Sequence, residues 1–541
     1  MSKKESFVKG TLILAAAALI ARVLGLAQRV PLEHLLNVTG EAAFTQANQV
    51  YLLLLPLATA GIPSTLSKMV SERYALHRPH EAQQVYRAAL IFSAVVGVLM
   101  SVALYIAAPY YAEYAKVPES TLAIRAIAPA LLLFPTIAIM RGYFQGRNNM
   151  MAGGISQIVE QIARVSTAIL LAYILLKQGY DNTWMAAGAS FGSVFGSVGA
   201  FGIMLYYAMK MRRTEDKAAL YDSSSARLPL LGIYKDIFKL SIPIVLSSVT
   251  VPVVNFIDSS LIVPLLSGQI GIDEATGALA IYGSRAISVA GIPPVLAIAL
   301  STSLIPIISA AYARRDEQHL QRQVTLAMRI SILTGTPIVV SLVVAAYSIN
   351  GLLFTTLDGS GIVAMLTIGT IFQITMMTTN SILLGMGKSR ISMYYVLAGI
   401  LVKLAASFLL SKVFGIYGII GATALCFIVI TLLNLRMLKN IVSFTIMGKR
   451  WGGFAVAVLA SGGIGYGLNE AGIMLTRLMP DRVAYLITCL VVGAAVVIIY
   501  LVLLIVLGVL GRQEIAGYPR VLQKVLNPLM RLQPARVRAS E

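Results

Sequence analysis

Five basic residues lie deep inside apolar stretches of this chain: Arg22, Arg29, Arg164, Arg285 and Lys403. A charge at that depth in a membrane is costly, and it usually faces a water-filled cavity or a polar partner inside the protein. The apolar stretches that hold Arg22, Arg29 and Arg285 contain no acidic residue within one helical turn of them. We therefore interpret these cations as the lining of a wet cavity that receives an anion. Hydrogen bonding between helices, or local ion pairing, is the alternative.

Arg164 also belongs to a polar stripe. Gln157, Glu160, Gln161 and Arg164 recur at i, i+3, i+4 and i+7, which places them on one face of a helix. Such a face cannot point to lipid, so it lines a hydrophilic cavity or joins helices, and the length of the four side chains favours the cavity. Glu160 lies one turn from Arg164 and can neutralise it. A local ion pair is therefore a strong alternative for this arginine.

Two polar residues of a later apolar stretch, Asn255 and Asp258, form a candidate site for a coupling ion. Their side-chain oxygens could bind a monovalent cation, and the carboxylate could equally pair with an arginine of the protein. The sequence leaves both interpretations open. It predicts no resident metal or cofactor, because Cys426, Cys489 and the four histidines have no metal-binding spacing.

Glycine and proline interrupt two of the apolar stretches, at Gly61 and Pro63 and again at Gly291, Pro293 and Pro294. Proline removes a backbone hydrogen bond and bends a helix. We predict hinges at these positions, where a helix bends as a cavity opens and closes, and a static kink is the alternative.

The elements that position these residues must be membrane helices. The chain has 541 residues, of which 57% are hydrophobic and only 12% charged, whereas soluble proteins carry about 25% charged residues. Stretches of about 20 apolar residues, the length that spans a bilayer, predict fourteen transmembrane helices. They lie at about 11–32, 47–69, 86–108, 122–143, 152–176, 184–209, 238–264, 277–309, 323–348, 362–385, 392–413, 416–437, 452–474 and 484–511.

The distribution of basic residues orients these helices. Most of the 43 Lys and Arg residues lie in or beside the loops on the same side of the membrane. The positive-inside rule assigns this side to the cytoplasm. Both termini are then cytoplasmic. The net charge of +20 is explained by these short loops, which meet anionic lipid headgroups, and it does not indicate nucleic-acid binding.

The polar, basic and Ser-rich stretch 210–237 divides the chain into two halves that share sequence features at corresponding positions. The segment 60–63, AGIP, recurs as 290–293, and Arg164 is matched by Lys403. Six helices separate the members of each pair, so the predicted repeat is parallel, with its axis along the membrane normal. The predicted parts are an N-terminal six-helix lobe (1–209), a linker (210–237), a C-terminal six-helix lobe (238–437), two extra helices (452–511) and a basic cytoplasmic tail (512–541).

Enzyme motifs are absent from the sequence. The tripeptide 387–389, GKS, matches the end of the phosphate-binding loop motif. It lies in a predicted turn between helices, however, and the glycine that the motif requires further upstream is absent. The external loops are too short for a catalytic domain, which disfavours a membrane-embedded glycan polymerase. We expect a transporter and not an enzyme.

Two stretches carry a family resemblance: 141–165, RGYFQGRNNMMAGGISQIVEQIARV, and 11–30, TLILAAAALIARVLGLAQRV. They resemble the polysaccharide-flippase branch of the multidrug/oligosaccharidyl-lipid/polysaccharide exporter (MOP) superfamily, especially its stage V sporulation protein B group and the Gram-positive lipid II flippases. The resemblance covers the whole chain in helix number and lobe plan. It implies an all-α, MATE-like membrane fold whose two lobes open alternately to each side of the membrane, with two added helices that accommodate a polyprenyl tail.

The resemblance also implies a binding site. Arginines of the first and eighth helices hold the diphosphate in this family; Arg22 matches the first-helix Arg-x-Leu-Gly pattern, and Arg285 lies before the eighth-helix bend. The chain departs from the family at Gln28-Arg29, where Gram-negative lipid II flippases carry Arg-Asp. It also lacks, in 392–413, the sodium-site carboxylate that some relatives have.

The expected function is movement of a polyprenyl-diphosphate-linked oligosaccharide, most specifically the peptidoglycan precursor lipid II, to the outer leaflet of a bacterial plasma membrane. A polar head cannot cross hydrocarbon without a cavity that replaces its water. A flippase for another envelope polysaccharide, including one for spore formation, and a cation-coupled multidrug exporter are the alternatives. The expected partners are the lipid-linked substrate and anionic lipids, with cell-wall synthases as further candidates, and a monovalent cation or the membrane potential would drive transport.

Overall fold

The computed structural model of the protein describes residues 20, 23–25, 27–59, 62–76, 78–147, 149–214, 241–242, 245–354 and 356–510. Two predicted site residues, Arg22 and Gly61, lie outside the described residues, as do most of the predicted first helix and linker and all of the predicted tail. Within the described ranges the chain is almost entirely α-helical and contains no β-strand. The predicted all-α fold is confirmed.

Eleven helices of the described residues are long and apolar enough to cross a membrane. The second and eighth predicted spans are not among them. The first lies mostly outside the described part of the chain. A multi-pass membrane protein is therefore confirmed, while the number fourteen stays a prediction.

The chain divides into two compact units, Met1–Ser284 and Arg285–Glu541. The lobes predicted from the linker, 1–209 and 238–437, stay a prediction. The helices of the first unit are α1 (Arg29–Leu35), α2 (Val38–Thr59), α3 (Ile62–Ala75), α4 (Pro79–Tyr114), α5 (Ser120–Leu131), α6 (Phe134–Gly146), α7 (Met150–Lys177), α8 (Asn182–Thr214), α9 (Thr250–Ile270) and α10 (Ile272–Ile281).

Helices α9 and α10 belong to the first unit because they pack against α2. The side-chain amide of Gln46 in α2 donates to the Ser259 carbonyl of α9 over 2.8 Å. The hydroxyl groups of Tyr111 in α4 and Ser260 in α9 lie 2.8 Å apart. Buried hydrogen bonds of this kind fix the register between membrane helices.

The second unit begins within a π-helical turn, Tyr282–Ala286, that follows α10. Its helices are α11 (Ile287–Ala290), α12 (Pro294–Ala313), α13 (Glu317–Val344), α14 (Ala346–Leu353), α15 (Ser360–Gly385), α16 (Ser389–Phe414), α17 (Ile416–Ile441), α18 (Trp451–Ile473) and α19 (Asp481–Val506). The last two pack against each other and against α13.

Small residues let two long helices approach each other closely in each unit. In the first unit, a Cβ atom on Gly192 of α8 would lie 2.7 Å from the Arg164 carbonyl oxygen of α7. In the second unit, a Cβ atom on Gly418 of α17 would collide with the Leu410 carbonyl group of α16. Arg164 and Lys403 both lie on the buried face of the first helix of their pair. The two pairs are thus alike, in keeping with the predicted repeat.

Candidate functional site

Helix α7 carries the predicted polar stripe on its protein-facing side. Ser156, Glu160 and Arg164 are buried, while Gln157 and Gln161 are partly exposed. The helix begins after Asn149, whose side-chain oxygen accepts a hydrogen bond from the backbone of the first turn. The stripe therefore faces other helices and not lipid, as the spacing predicts.

Glu160 pairs with Arg141 of α6 and not with Arg164. Its carboxylate lies 2.7 Å from Arg141 Nη2, which also donates to the hydroxyl of Ser156 over 2.8 Å. The alternative in which Glu160 neutralises Arg164 is therefore wrong. The reason is that the partner comes from a different helix, which spacing along one helix cannot reveal.

Arg164 is left with polar and aromatic neighbours. Its Nη2 donates to Gln161 Oε1 over 2.7 Å, and its guanidinium lies 5.2 Å from the ring centre of Tyr51. Its Nε has no hydrogen-bond partner among the described residues. A Cβ atom on Gly25 would lie 3.4 Å from the guanidinium, so a glycine three residues after Arg22 lets the chain pass close to this cation.

Arg29, in α1, is buried near the same group. Its Nη1 donates to the Gly283 carbonyl over 2.7 Å, and its guanidinium lies 5.6 Å from the ring centre of Phe44. Glu41 and Arg164 are close enough to act on it electrostatically. Glu33, which the predicted span 11–32 leaves out, belongs to the same helix and is also buried. The statement that no acid lies within one turn of Arg29 is thus wrong, because the helix continues past residue 32.

Neither of these two arginines forms a salt bridge in the described part of the chain. Arg29 is 8% exposed and Arg164 is 9% exposed. Salt bridges between described residues include Lys68–Glu72, Arg73–Glu81, Arg78–Glu81 and Arg141–Glu160. These two buried cations therefore lie within electrostatic range of each other, and Glu41 acts on Arg29 as well, but no carboxylate of the described residues is bonded to either guanidinium.

The Gly283 carbonyl that Arg29 contacts belongs to the π-helical turn. Such turns displace carbonyl groups from the regular hydrogen-bond ladder and are frequent at functional sites. Gly283 packs directly on Thr45 of α2, leaving no room for a side chain. The preceding residue, Tyr282, donates its hydroxyl to Asp258 Oδ2 over 3.0 Å.

Arg285, in the same π-helical turn, is held by the segment after α14. Its Nη1 donates to the Thr356 carbonyl, the Thr356 hydroxyl and the Asp358 carbonyl over 3.0, 3.0 and 2.8 Å. The guanidinium also lies 5.5 Å from the ring centre of Phe354. These three acceptors are neutral carbonyl and hydroxyl groups, and the role of Arg285 in binding the diphosphate stays a prediction.

The remaining predicted site residues, Lys403, Asp258 and Asn255, differ in how far they are buried. Lys403 is buried completely in α16. Asp258 is buried in α9 and bonded to Tyr282, whereas Asn255 is partly exposed. Coordination of a coupling ion by these two residues stays a prediction.

The predicted prolines lie at or beside the starts of helices. Pro63 lies in the first turn of α3, and Pro294 begins α12 directly after Pro293. Gly291 lies in the non-helical turn between α11 and α12. Bending at these breaks during transport stays a prediction.

A cavity of about 200 Å³ lies between α3, α6 and the first turns of α7. Its polar lining comes from Arg141, Gln145, Asn149 and Gln157, and Pro63 also borders it. Of these, only Gln157 and Pro63 were predicted to be site residues. The segment 141–149 carried the family resemblance, but its side chains converge only because α6 and α7 fold back on each other.

A family model described as "Polysaccharide biosynthesis protein" matches residues 7–312, which is more than half of the chain. The chain belongs to this family. The MatE family model also matches, over residues 243–409. The polysaccharide biosynthesis family and MatE both fall within the MOP superfamily of membrane transporters, so the resemblance found in the sequence is confirmed.

Similar proteins agree with this family. In Bacillus subtilis (strain 168), the uncharacterized membrane protein YabM is 28% identical over 81% of this chain and 81% of its own length. Lipid II flippase MurJ is 26% identical over 83% and 86%, and stage V sporulation protein B is 24% identical over 90% and 96%. An inward-facing MATE family transporter of the MOP superfamily has a TM-score of 0.66 at 16% identity, over 78% of this chain and 95% of its own. This last likeness shows the fold alone.

Proposed function

We propose that this family member is a flippase that moves an anionic lipid-linked oligosaccharide from the inner to the outer leaflet of a bacterial plasma membrane. The most specific candidate for the substrate is lipid II. The observation that carries the proposal is the buried pair of Arg29 and Arg164, which lie within mutual electrostatic range without a salt bridge in the described part of the chain. The similarity to lipid II flippase MurJ supports the choice of substrate.

The physical argument concerns the cost of burying these charges. Removing an ion from water costs several kcal/mol even after the protein relaxes. An arginine that served only helix packing would offset that cost by pairing with a carboxylate of the protein, as Arg141 does with Glu160. Arg29 and Arg164 would instead recover it when a diphosphate binds, because charge-assisted bonds from arginine to phosphate are short and strong.

The direction of transport follows from the same charge. An inside-negative membrane potential favours outward movement of an anion by about 2.3 kcal/mol per charge per 100 mV. The potential could therefore drive the flippase without a dedicated metal site. Among the described residues, no cluster of three or more His, Cys, Asp or Glu side chains could hold a metal ion.

The test is translocation of fluorescent lipid II by the purified protein in sealed vesicles. We expect the protein to expose lipid II to a membrane-impermeant quencher faster than protein-free vesicles do. A glycolipid with the same polyprenyl chain but no phosphate should move no faster than in protein-free vesicles. Equal movement of both lipids would contradict recognition of the anion, and movement of neither would refute the proposed function.

A further inference from the structure

The cavity between α3, α6 and α7 has polar walls but little net charge. Its arginine, Arg141, is neutralised by Glu160 over 2.7 Å and also donates to Ser156. The other polar groups of the lining are the carboxamides of Gln145, Asn149 and Gln157. This cavity therefore differs from the surroundings of Arg29 and Arg164, where the cations have no bonded carboxylate among the described residues.

Gln157 provides a hydrogen-bond acceptor for a ligand in this cavity. Its Oε1 is buried and has no hydrogen-bond partner among the described residues. Buried polar atoms are nearly always hydrogen-bonded, so an exception needs an explanation. A carboxamide both donates and accepts, as does the hydroxyl group of a sugar.

Close helix packing forms the walls of the cavity. A Cβ atom on Gly142 would lie 2.7 Å from the Pro63 backbone, and one on Gly146 would lie 2.7 Å from the Ser67 carbonyl oxygen. These two glycines are four residues apart on α6, the spacing that lets membrane helices approach closely. Arg141 and Gln145 immediately precede them and are thereby held in place beside Pro63.

The size of the cavity limits its ligand. Pockets for drug-sized molecules measure about 300–1,000 Å³, and this cavity is smaller, at about 200 Å³. It can hold one sugar ring but not a whole oligosaccharide. Gln157 and Arg164 are seven residues apart on one face of α7, which corresponds to about 10 Å along the helix axis. A sugar at Gln157 would therefore lie close to an anion held at Arg164.

We propose that the cavity lined by Arg141, Gln145, Asn149 and Gln157 binds a sugar ring of the substrate, next to the diphosphate held by Arg29 and Arg164. This inference rests on the proposed function and adds a subsite that recognises the glycan. The contact between the arginines and the diphosphate would form with any polyprenyl diphosphate, whether or not it carries a sugar. The carboxamides distinguish a lipid that carries a sugar from one that does not.

The test compares two lipids, lipid II and the same polyprenyl diphosphate without sugars, in binding to the protein in nanodiscs. The test variant is Gln145→Leu together with Gln157→Leu, and the control is Gln178→Leu, at an exposed position beyond α7. We expect the wild type and the control to prefer lipid II. The double variant should lose about tenfold in affinity for lipid II, as expected for two hydrogen bonds, with unchanged affinity for the sugar-free lipid.

Retained binding of the sugar-free lipid shows that the double variant is folded. Equal affinity of the wild type for the two lipids, or equal weakening of both in the double variant, would overturn the sugar subsite alone. An unchanged preference for lipid II in the double variant would also overturn it. Failure of the wild type to bind either lipid would overturn the proposed function and this inference with it.

Discussion

At the scale of single residues, the pairing of charges decides which cations are available to a ligand. Arg141 and Glu160 form a partly buried ion pair across α6 and α7, whereas Arg164, one turn from Glu160, bonds to the neutral Gln161. Breaking a buried pair leaves a charge without its partner, which is more costly than removing both members. The Arg141–Glu160 pair is therefore structural, and Arg164 remains the cation for an anionic ligand.

This assignment predicts the stability of variants of the pair. Glu160→Gln should lower the free energy of unfolding by about 1–3 kcal/mol, because it leaves the partly buried Arg141 without its carboxylate. Adding Arg141→Met should restore much of the loss. Thermal unfolding in detergent measures both effects, with Glu113→Gln, at an exposed position, as the control. A Glu160→Gln variant as stable as the control would refute a structural role for this pair.

At the scale of helices, the sequence predicts much of the fold and part of the site. Apolar length places the long helices, and the prolines at 293 and 294 mark the break in the eighth span. The helical spacing of 157, 160, 161 and 164 predicts their shared face. The π-helical turn at Tyr282–Ala286 could not be predicted, because no residue spacing specifies it. The Arg141–Glu160 pair could not be predicted because its members lie on different helices.

The π-helical turn allows a prediction at this scale. Gly283→Ala should destabilise the protein by about 1–3 kcal/mol, the cost of overpacking, because the added methyl group would collide with Thr45. The matched control is Gly277→Ala in the preceding helix, where a Cβ atom meets only Val38 at an ordinary 3.9 Å. The thermal unfolding midpoints of the two variants give the comparison. Equal midpoints would show that α2 and this turn are not packed as described.

At the scale of the whole molecule, polar groups are placed inside two apolar units. Each unit contains a closely packed helix pair, α7 with α8 and α16 with α17, and each pair buries one basic residue at its centre, Arg164 or Lys403. The membrane location and the repeat follow from the sequence pattern. The sequence pattern does not predict which buried cations are available to a ligand, because that depends on which carboxylate the fold brings to each of them.

The central claim is that Arg29 and Arg164 together hold the anionic part of the substrate. The most direct measurement is the rate of lipid II translocation in sealed vesicles by the Arg29→Gln, Arg164→Gln variant. Arg125→Gln is the control, since the guanidinium of Arg125 lies over the ring of Tyr105 and donates to its carbonyl group. We predict that the double variant loses about tenfold or more in rate, as expected for lost charge-assisted hydrogen bonds, while Arg125→Gln keeps the wild-type rate. A folded double variant that moves lipid II at the wild-type rate would contradict the claim.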